Sequence, residues 1–516
     1  GKPHKFGLEA GSKPELLIAL ATLNTPEALI ICNGYKDREY IETALLAQRL
    51  GKMPIVVIEQ LEEVDLVIAA SQKLEIKPVV GVRAKLSAKG IGRWAGTTGD
   101  RAKFGLSVPE IIEVVNRLQK ADLLASLQLL HYHIGSQISS ISVIKEAIRE
   151  GSQIYVELAA LGAKMAYLDV GGGLAIDYDG SKSNFYASKN YNMQNYANDI
   201  VAEVKEVCEA RELTPPILIS ESGRAVASHQ SVLVFDVLGT SEVLNGKVPE
   251  IKEGDHLILR NLNETFLGIK KENFQEMYHD AIQFKEEAIS LFNFGYLNIS
   301  DRAKAEQLYW ACFRKIQEIV RLSDFVTEDL EDLERRIASI YYINLSVFQS
   351  APDSWAIEQL FPIMPVHRLE EEPTKRGILA DLTCDSDGKI DRFIDLPDMK
   401  HFLELHPLRK GESYYLAMFL AGAYQETMGN LHNLFGDTNV VHIRLTPSGY
   451  KIEKSIEGDT MTEVLKYVQY DSEDLVESIR RQTEYALQEK RISIKESQML
   501  LQNYKRSLSG YTYLQD

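Results

Sequence analysis

Three short segments set reactive side chains beside glycine at the ends of apolar runs. The segment HYHIGSQ carries His131, His133, Gly135 and Ser136. Alternation along a strand sends His131 and His133 to one face, where either can stack on a ring or move a proton. The same pair reads equally as hydrogen-bonded core histidines, and no third metal ligand at suitable spacing stands near them. The segment YLDVGGGLAIDYDG carries Asp169, the glycines Gly171, Gly172 and Gly173, then Leu174, Asp177 and Tyr178. Successive glycines leave backbone N–H groups bare, which suits a phosphate, although a tight turn uses them too. The spacing is not the GxGxxG of a dinucleotide site. The segment SESGRA sets Glu221 and Arg224 three residues apart. A carboxylate at a strand end can hold a protonated ring nitrogen and a guanidinium can neutralise a phosphate, with a surface ion pair as the plainer alternative. Further on, LTCDSDGK offers Cys384 and Asp385 before an Asp387-Gly388 turn, and GAYQET and LHNLFGDTN offer Tyr424, His432 and Asp437.

Chemistry of this kind needs a scaffold that gathers strand ends. The spacing predicts strands over 5–9, 28–32, 54–59, 78–85, 124–133, 165–170 and 217–221. Between them it predicts helices over 39–50, 64–73, 109–120, 142–161 and 196–211. Such alternation means parallel strands joined by crossover helices. Seven strands are one short of a closed (β/α)8 barrel, whose active sites lie at the C-terminal strand ends. The eighth is expected ahead of Gly1, because the chain opens straight into a strand without Met or leader; an open doubly wound sheet is the alternative. After Arg224 strands are predicted over 230–237 and 256–259, helices over 274–292, 302–322 and 328–340, and strands again over 341–347, 378–383 and 440–445. The text from 460 to 507 is helical. The expected class is α/β: a barrel lacking its first strand over 1–228, a β domain over 229–260 and 340–450, a helical insertion over 261–339 and a helical C-terminal region over 451–516.

Composition narrows the function. The 516 residues hold 57 Lys+Arg against 74 Asp+Glu, a formal charge of −17 that argues against nucleic acid or an anionic membrane as partner. The four cysteines, Cys32, Cys208, Cys312 and Cys384, lie far apart with no CxxC pair. That argues against a disulfide framework or a zinc site and makes a reducing compartment such as the cytoplasm the expectation. No apolar run reaches the ~20 residues of a spanning helix; the nearest, 16–31, is broken by Thr22, Asn24, Pro26 and Glu27.

Taken together, HYHIGSQ, LDVGGGLAIDYDG, SESGRA, TCDSDGK, SVFQSAPDSWAIEQLFPI and GAYQE resemble segments of the fold-type III pyridoxal-phosphate decarboxylases. Within that class the chain resembles the bacterial biosynthetic arginine decarboxylases over nearly its whole length. The resemblance implies decarboxylation of L-arginine to agmatine and CO2, the entry to polyamine synthesis, with pyridoxal 5'-phosphate and, by family habit, Mg2+ at a site the sequence does not reveal. It implies that His133 stacks on the cofactor ring, that Ser136, Gly171, Gly172, Gly173, Arg224 and Tyr424 hold its phosphate, that Glu221 meets its ring nitrogen, and that Arg83 lies near its phenolic side. Glu9 would stand beside the lysine that carries the cofactor. Cys384 and Asp385 would serve a neighbouring subunit of a homo-oligomer, Cys384 handling the α-carbon proton and Asp385 meeting the cationic end of the substrate. Asp353 would add a guanidinium contact, and Asp169, Leu174, Asp177 and Tyr178 would border the substrate.

Two departures stand out. The family's cofactor-bearing lysine belongs to the first barrel strand, and Lys85, beside Arg83, is no substitute. The sequence is therefore expected to be part of a longer enzyme and to be inactive alone. Ornithine decarboxylases carry an acidic residue where Leu345 stands here, which disfavours ornithine. The alternatives are another basic amino-acid decarboxylase, for ornithine, lysine or diaminopimelate, and a catalytically dead homologue that binds a partner as antizyme inhibitors do.

Overall fold

A computed structural model describes residues 4–87, 102–242, 247–321, 328–396 and 399–515. The chain divides into two units, Gly1–Ser231 and Val232–Asp516.

The first unit is a curled sheet of seven parallel strands in sequence order: β1 Leu8–Ala10, β2 Leu29–Cys32, β3 Met53–Ile58, β4 Val80–Arg83, β5 Leu127–His131, β6 Tyr167–Asp169 and β7 Ile217–Ile219. Six helices alternate with them: α1 Lys13–Thr22, α2 Arg38–Ala47, α3 Leu61–Leu74, α4 Val108–Lys120, α5 Ile141–Ala160 and α6 Met193–Ala210. Their starts are chemically marked. Ser107 and Glu110 form a reciprocal cap on α4, and the Asp37 side chain accepts from Tyr40 N–H at the head of α2. Strand side chains alternate between two apolar layers. One face packs under the helices in a large core that includes Ile30, Cys32, Val56, Val80, Val82, Leu130 and Leu168. The other face meets itself: Ile31, Ile55, Val57 and Leu129 pack with Leu29, Val79, Tyr167 and Ile219, which joins β2 to β7 across the interior and defines the curl. A short helix, α7 Gly223–Ala227, follows β7.

The second unit combines a β-sheet with a four-helix insertion and a helical C-terminal part. Its first strand, β8 Leu233–Ser241, is followed by four helices: α8 Leu257–Gly268, α9 Phe274–Asn293, α10 Ile299–Arg321 and α11 Glu328–Ile337. Next come β9 Ser339–Ile343, α12 Val347–Ser350, α13 Pro352–Ala356, β10 Ile363–Pro365 and β11 Lys375–Ala380. The strands β12 Lys389–Ile390, β13 Phe393–Ile394, β14 Met399–Lys400, β15 Leu403–Leu405 and β16 Tyr415–Met418 complete the main run. The sheet order is β10-β16-β8-β9-β11-β12, with β15 also on β11. After α14 Gln425–Met428, a hairpin of β17 Val440–Thr446 and β18 Gly449–Ile456 leads to α15 Met461–Tyr467, α16 Ser472–Gln488 and α17 Ile494–Leu508.

The strand expected over 256–259 is not formed. His256 caps α8, its side chain accepting from Ile258 N–H, and Ile258, Leu259, Leu262 and Thr265 are buried at helical spacing. Two other strands stop early. The chain turns into α12 at Val347 rather than extending β9, and β11 ends at Ala380 before the turn that holds Asp381.

Candidate active site

The inner face of the curled sheet changes character along its length. Residues 29, 31, 55, 57, 79, 129, 167 and 219 are apolar or aromatic. The next inner positions toward the C-terminal ends are Asn33, Glu59, Arg83, His131, Asp169 and Glu221, joined by Glu9 in the middle of β1. Register aligns them: Arg83 is paired with His131, His131 with Asp169, and Asp169 with Ile219, two residues before Glu221. In a parallel sheet such partners project side by side, so seven polar side chains meet over an apolar floor.

A charged chain holds one side of this layer. Glu59 Oε2 lies 3.0 Å from Arg83 Nη1, and its Oε1 accepts from Gly34 N–H at 2.7 Å. Glu63, on α3, accepts from the N–H groups of Lys36 and Glu59 at 2.8 and 2.9 Å. The fully buried Lys36 amine lies 3.2 Å from Glu63 and donates to the Gly34 carbonyl. Asn33, Lys36, Glu59 and Glu63 were missed by sequence reasoning. Glu59 had a signal, since it continues the inward positions 55 and 57. Lys36 and Glu63 follow from no local pattern.

The centre of the layer is His131, which has no exposed surface. Its Nδ1 is 3.3 Å from Asp169 Oδ2 and its Nε2 3.8 Å from Glu221 Oε2. Asp169 Oδ1 accepts from Gly171 N–H at 2.9 Å, and Glu221 Oε1 from Asn33 Nδ2 at 2.7 Å. Burial pushes both carboxyls up to about 7. Burial likewise pulls His131 down to about 4, against the attraction of Glu221, so the imidazole is neutral. Glu9, exposed by area in the middle of β1, is pushed up to about 7 by its low-polarity surroundings, then by Glu221 and Glu15. Asp169 was expected beside substrate. In the structure its carboxyl has no exposed surface.

The loop residues complete the rim. His133 Nδ1 accepts from Gly135 N–H at 3.0 Å, leaving its proton on Nε2, and burial pulls it down to about 3. Gly171 and Gly173 have φ of +62° and +112°, which favour glycine. A Cβ on Gly172 would stand 2.7 Å from His133 Nε2 and 3.2 Å from the Glu221 carbonyl, so the triple-glycine turn lies between those two residues. Arg224 is buried, its Nε donating to Ser136 Oγ at 2.9 Å and its Nη1 to Tyr178 Oη at 2.8 Å. Tyr178 and Leu174 are buried too, and Asp177 accepts from Gly180 N–H and Ser188 Oγ, so it organises its own loop.

The remaining expected residues belong to the second unit. Cys384 is an exposed free thiol whose N–H donates to Asn433 Oδ1 at 2.8 Å. Asp385 Oδ1 accepts from Asp387 N–H, and its Oδ2 lies 3.9 Å from His432 Nε2. Asp381 anchors this turn. It accepts from Val347 N–H, Thr383 N–H and Thr383 Oγ1 at 2.8, 2.8 and 2.7 Å. Asp353 is buried and tied to Gln425 by bonds of 3.0 and 2.8 Å, so its carboxylate does not face solvent as a substrate contact would. Tyr424 is exposed, with φ +68°. Leu345 is buried in the core.

The first unit's layer fits pyridoxal phosphate: a cation and a hydroxyl beside a glycine turn, an imidazole under it, and a carboxylate near neutrality on the far side. This layer does not mark a magnesium site. Among the described residues the only grouped ligands are His131, Asp169 and Glu221, and a buried set containing imidazole is foreign to an ion that keeps oxygen ligands and waters. None of the described helices is long and apolar enough to cross a membrane.

The comparisons agree with this geometry. Residues 4–228 match the family described as pyridoxal-dependent decarboxylase, pyridoxal binding domain, so the first unit is of that class. Residues 252–334 match the arginine decarboxylase helical bundle domain, and residues 461–514 the arginine decarboxylase C-terminal helical extension. Biosynthetic arginine decarboxylases of Nostoc sp. and Thermosynechococcus vestitus are 70% and 68% identical over the whole of this chain, which covers 76% and 81% of theirs. The crystal structure of the biosynthetic arginine decarboxylase of Campylobacter jejuni superposes with a TM-score of 0.86 at 34% identity, over 100% of this chain and 83% of that one. The chain belongs to the biosynthetic arginine decarboxylase family. The diaminopimelate decarboxylase of M. jannaschi, at 17% identity and TM-score 0.59 over 90% of this chain and 80% of that one, shares the fold.

Proposed function

We propose that this chain forms the catalytic body of an enzyme converting L-arginine to agmatine and CO2. The observation that carries the reading is the meeting of Glu221 and Arg224 with Gly172 and His133 at one end of one sheet. Pyridoxal phosphate, when bound, supplies the conjugated system that takes up the electrons released as CO2 departs.

The chain's own residues bind, orient and protonate. Arg224 and Ser136, with the turn of Gly171, Gly172 and Gly173, hold the phosphate. His133 offers a ring face, its orientation fixed by Gly135 N–H. Glu221 meets the ring nitrogen and keeps it protonated, which strengthens electron withdrawal. Arg83, fixed by Glu59, stands on the phenolic side. In the second unit Tyr424 adds to the phosphate grip, Cys384 delivers the proton to the α-carbon, and Asp385 meets the guanidinium. We assign those last two to a neighbouring copy, which requires at least a homodimer. The lysine that carries the cofactor is assigned outside this sequence, because Lys36, the buried lysine of the layer, is committed to Glu63.

The test is release of labelled CO2 from carboxyl-labelled arginine, ornithine, lysine and diaminopimelate by the protein that carries this chain. A clear preference for arginine is expected. Equal or faster turnover of any of the others refutes the substrate assignment.

A further inference from the structure

His131 has no part in the scheme above, although, like Asp169, it has no exposed surface. Its two ring nitrogens and Asp169 Oδ2 have no hydrogen-bond partner, and all are buried. Orphaned polar atoms are rare in protein interiors because each forfeits its hydration without return. Here the two ring nitrogens face the carboxyls of Asp169 and Glu221, which also interact directly with each other. Asp169 Oδ2 is 3.3 Å from Nδ1, on the neighbouring strand, and Glu221 Oε2 is 3.8 Å from Nε2, two residues past the end of β7. A movement of well under an ångström turns both separations into hydrogen bonds.

Resting on the cofactor reading just given, we propose that His131 is a positioning residue: its imidazole spans Asp169 and Glu221 and fixes the Glu221 oxygen that Asn33 does not hold. A neutral imidazole has one donor and one acceptor. Asp169, fully buried and pushed up to about 7, carries the proton and donates it to Nδ1, its other oxygen accepting from Gly171 N–H. Nε2–H is then the donor, and it faces Glu221 Oε2. Asn33 and His131 thus clamp Glu221 as a carboxylate from two sides, with its charge turned toward a ring nitrogen. The charged groups around the cluster are Glu9 on β1, Lys36 after β2, Glu59 after β3 and Arg83 on β4. Glu59 is paired with Arg83 and Lys36 with Glu63, so Glu9 is the remaining titratable neighbour that acts on the Asp169–His131–Glu221 row.

The experiment uses this chain with pyridoxamine 5'-phosphate, which has the same ring nitrogen and phosphate and needs no link to a lysine. Binding is compared with that of inorganic phosphate, and the ring 15N resonance of labelled probe is recorded. His131→Leu is expected to weaken the pyridoxamine probe roughly tenfold or more, as loss of a hydrogen bond to a charged group does. It should leave inorganic phosphate unchanged and move the 15N resonance toward neutral pyridine. In a Glu221→Gln background the same substitution should add nothing, since the two residues act as one unit. His131→Asn, polar but too short to reach both carboxylates, should behave like His131→Leu and covers failure of the leucine variant to fold; His131→Gln, long enough to span them, should restore binding. Equal loss for both ligands, full additivity with Glu221→Gln, or an unmoved 15N resonance overturns the role of His131. Failure of the unsubstituted chain to bind pyridoxamine 5'-phosphate overturns the cofactor reading itself, and the role with it.

Discussion

Gly172→Ala tests the geometry most sharply, because one methyl group is added at a known place. The backbone of Gly172 lies outside the positive-φ region, so alanine meets no conformational penalty there. The new Cβ would stand 2.7 Å from His133 Nε2 and 3.3 Å from its Cε1. The first contact is short of an ordinary one by about 0.7 Å, well inside the repulsive wall. The ring cannot simply retreat, because Gly135 N–H holds its Nδ1 at 3.0 Å and the Glu221 carbonyl closes the other side at 3.2 Å from the same Cβ. Overpacking of this kind costs about 1–3 kcal/mol. If the imidazole must lie flat beneath a bound ring, that strain appears on binding as a Kd for pyridoxamine 5'-phosphate roughly 5- to 150-fold weaker. Titration by cofactor fluorescence measures it. Gly254→Ala, whose Cβ would meet nothing within 4 Å, is the control and should bind as the unsubstituted chain does. A Gly172→Ala protein that binds the probe within about twofold of the unsubstituted chain would refute the wedged arrangement of Gly172, His133 and Glu221, since even the smallest overpacking cost exceeds that.

Further outcomes follow from the same contacts. Arg224→Gln should weaken pyridoxamine 5'-phosphate by roughly 10- to 100-fold while sparing binding of a phosphate-free pyridoxamine, measured side by side, because charge-assisted bonds to phosphate are the strong ones. Burial raises the Glu221 carboxyl to about 7, so its stabilising contribution to the cofactor-free fold is complete below its unfolded-state range and is lost as pH rises through about 7. Glu221→Gln should therefore gain stability relative to the unsubstituted chain between pH 5 and pH 8 in urea melts, and a constant difference would refute the raised value. Lys36→Met should destabilise the first unit by about 3–5 kcal/mol by stranding Glu63, and Lys36→Met combined with Glu63→Leu should recover much of that in the same melts. Asp381→Asn, which loses an acceptor for Thr383 or Val347, should cost about 1–3 kcal/mol and expose the 381–388 turn to hydrogen exchange.

What the sequence revealed, and what it hid, has physical causes. Strand β3 was legible because MPIVVI is β-branched and apolar between polar turns. Glu221, Arg224 and the three glycines were legible because unusual residues stand at strand ends, where a barrel does its chemistry. Helix α1 escaped because it lacks an apolar stripe: Leu16 and Ala19 are buried while Leu17 and Ile18 are exposed. The strand expected at 256–259 failed because four apolar-rich residues fit either period, and only the continuation to Leu262 and Thr265 reveals a helix turn. The row of Arg83, His131 and Asp169 could not be seen at all, since it exists only through the register of three neighbouring strands. Asp353 looked like a substrate contact in its motif, and only tertiary packing shows its carboxylate bound to Gln425.

The most direct test of the whole account is a crystal structure of this chain with pyridoxamine 5'-phosphate. The account predicts the phosphate against Gly172, Gly173 and Arg224, the ring over His133, and the ring nitrogen at roughly 2.7–3.1 Å from a Glu221 oxygen. A probe bound with its ring nitrogen away from Glu221, or lodged elsewhere than the strand-end layer, would contradict it.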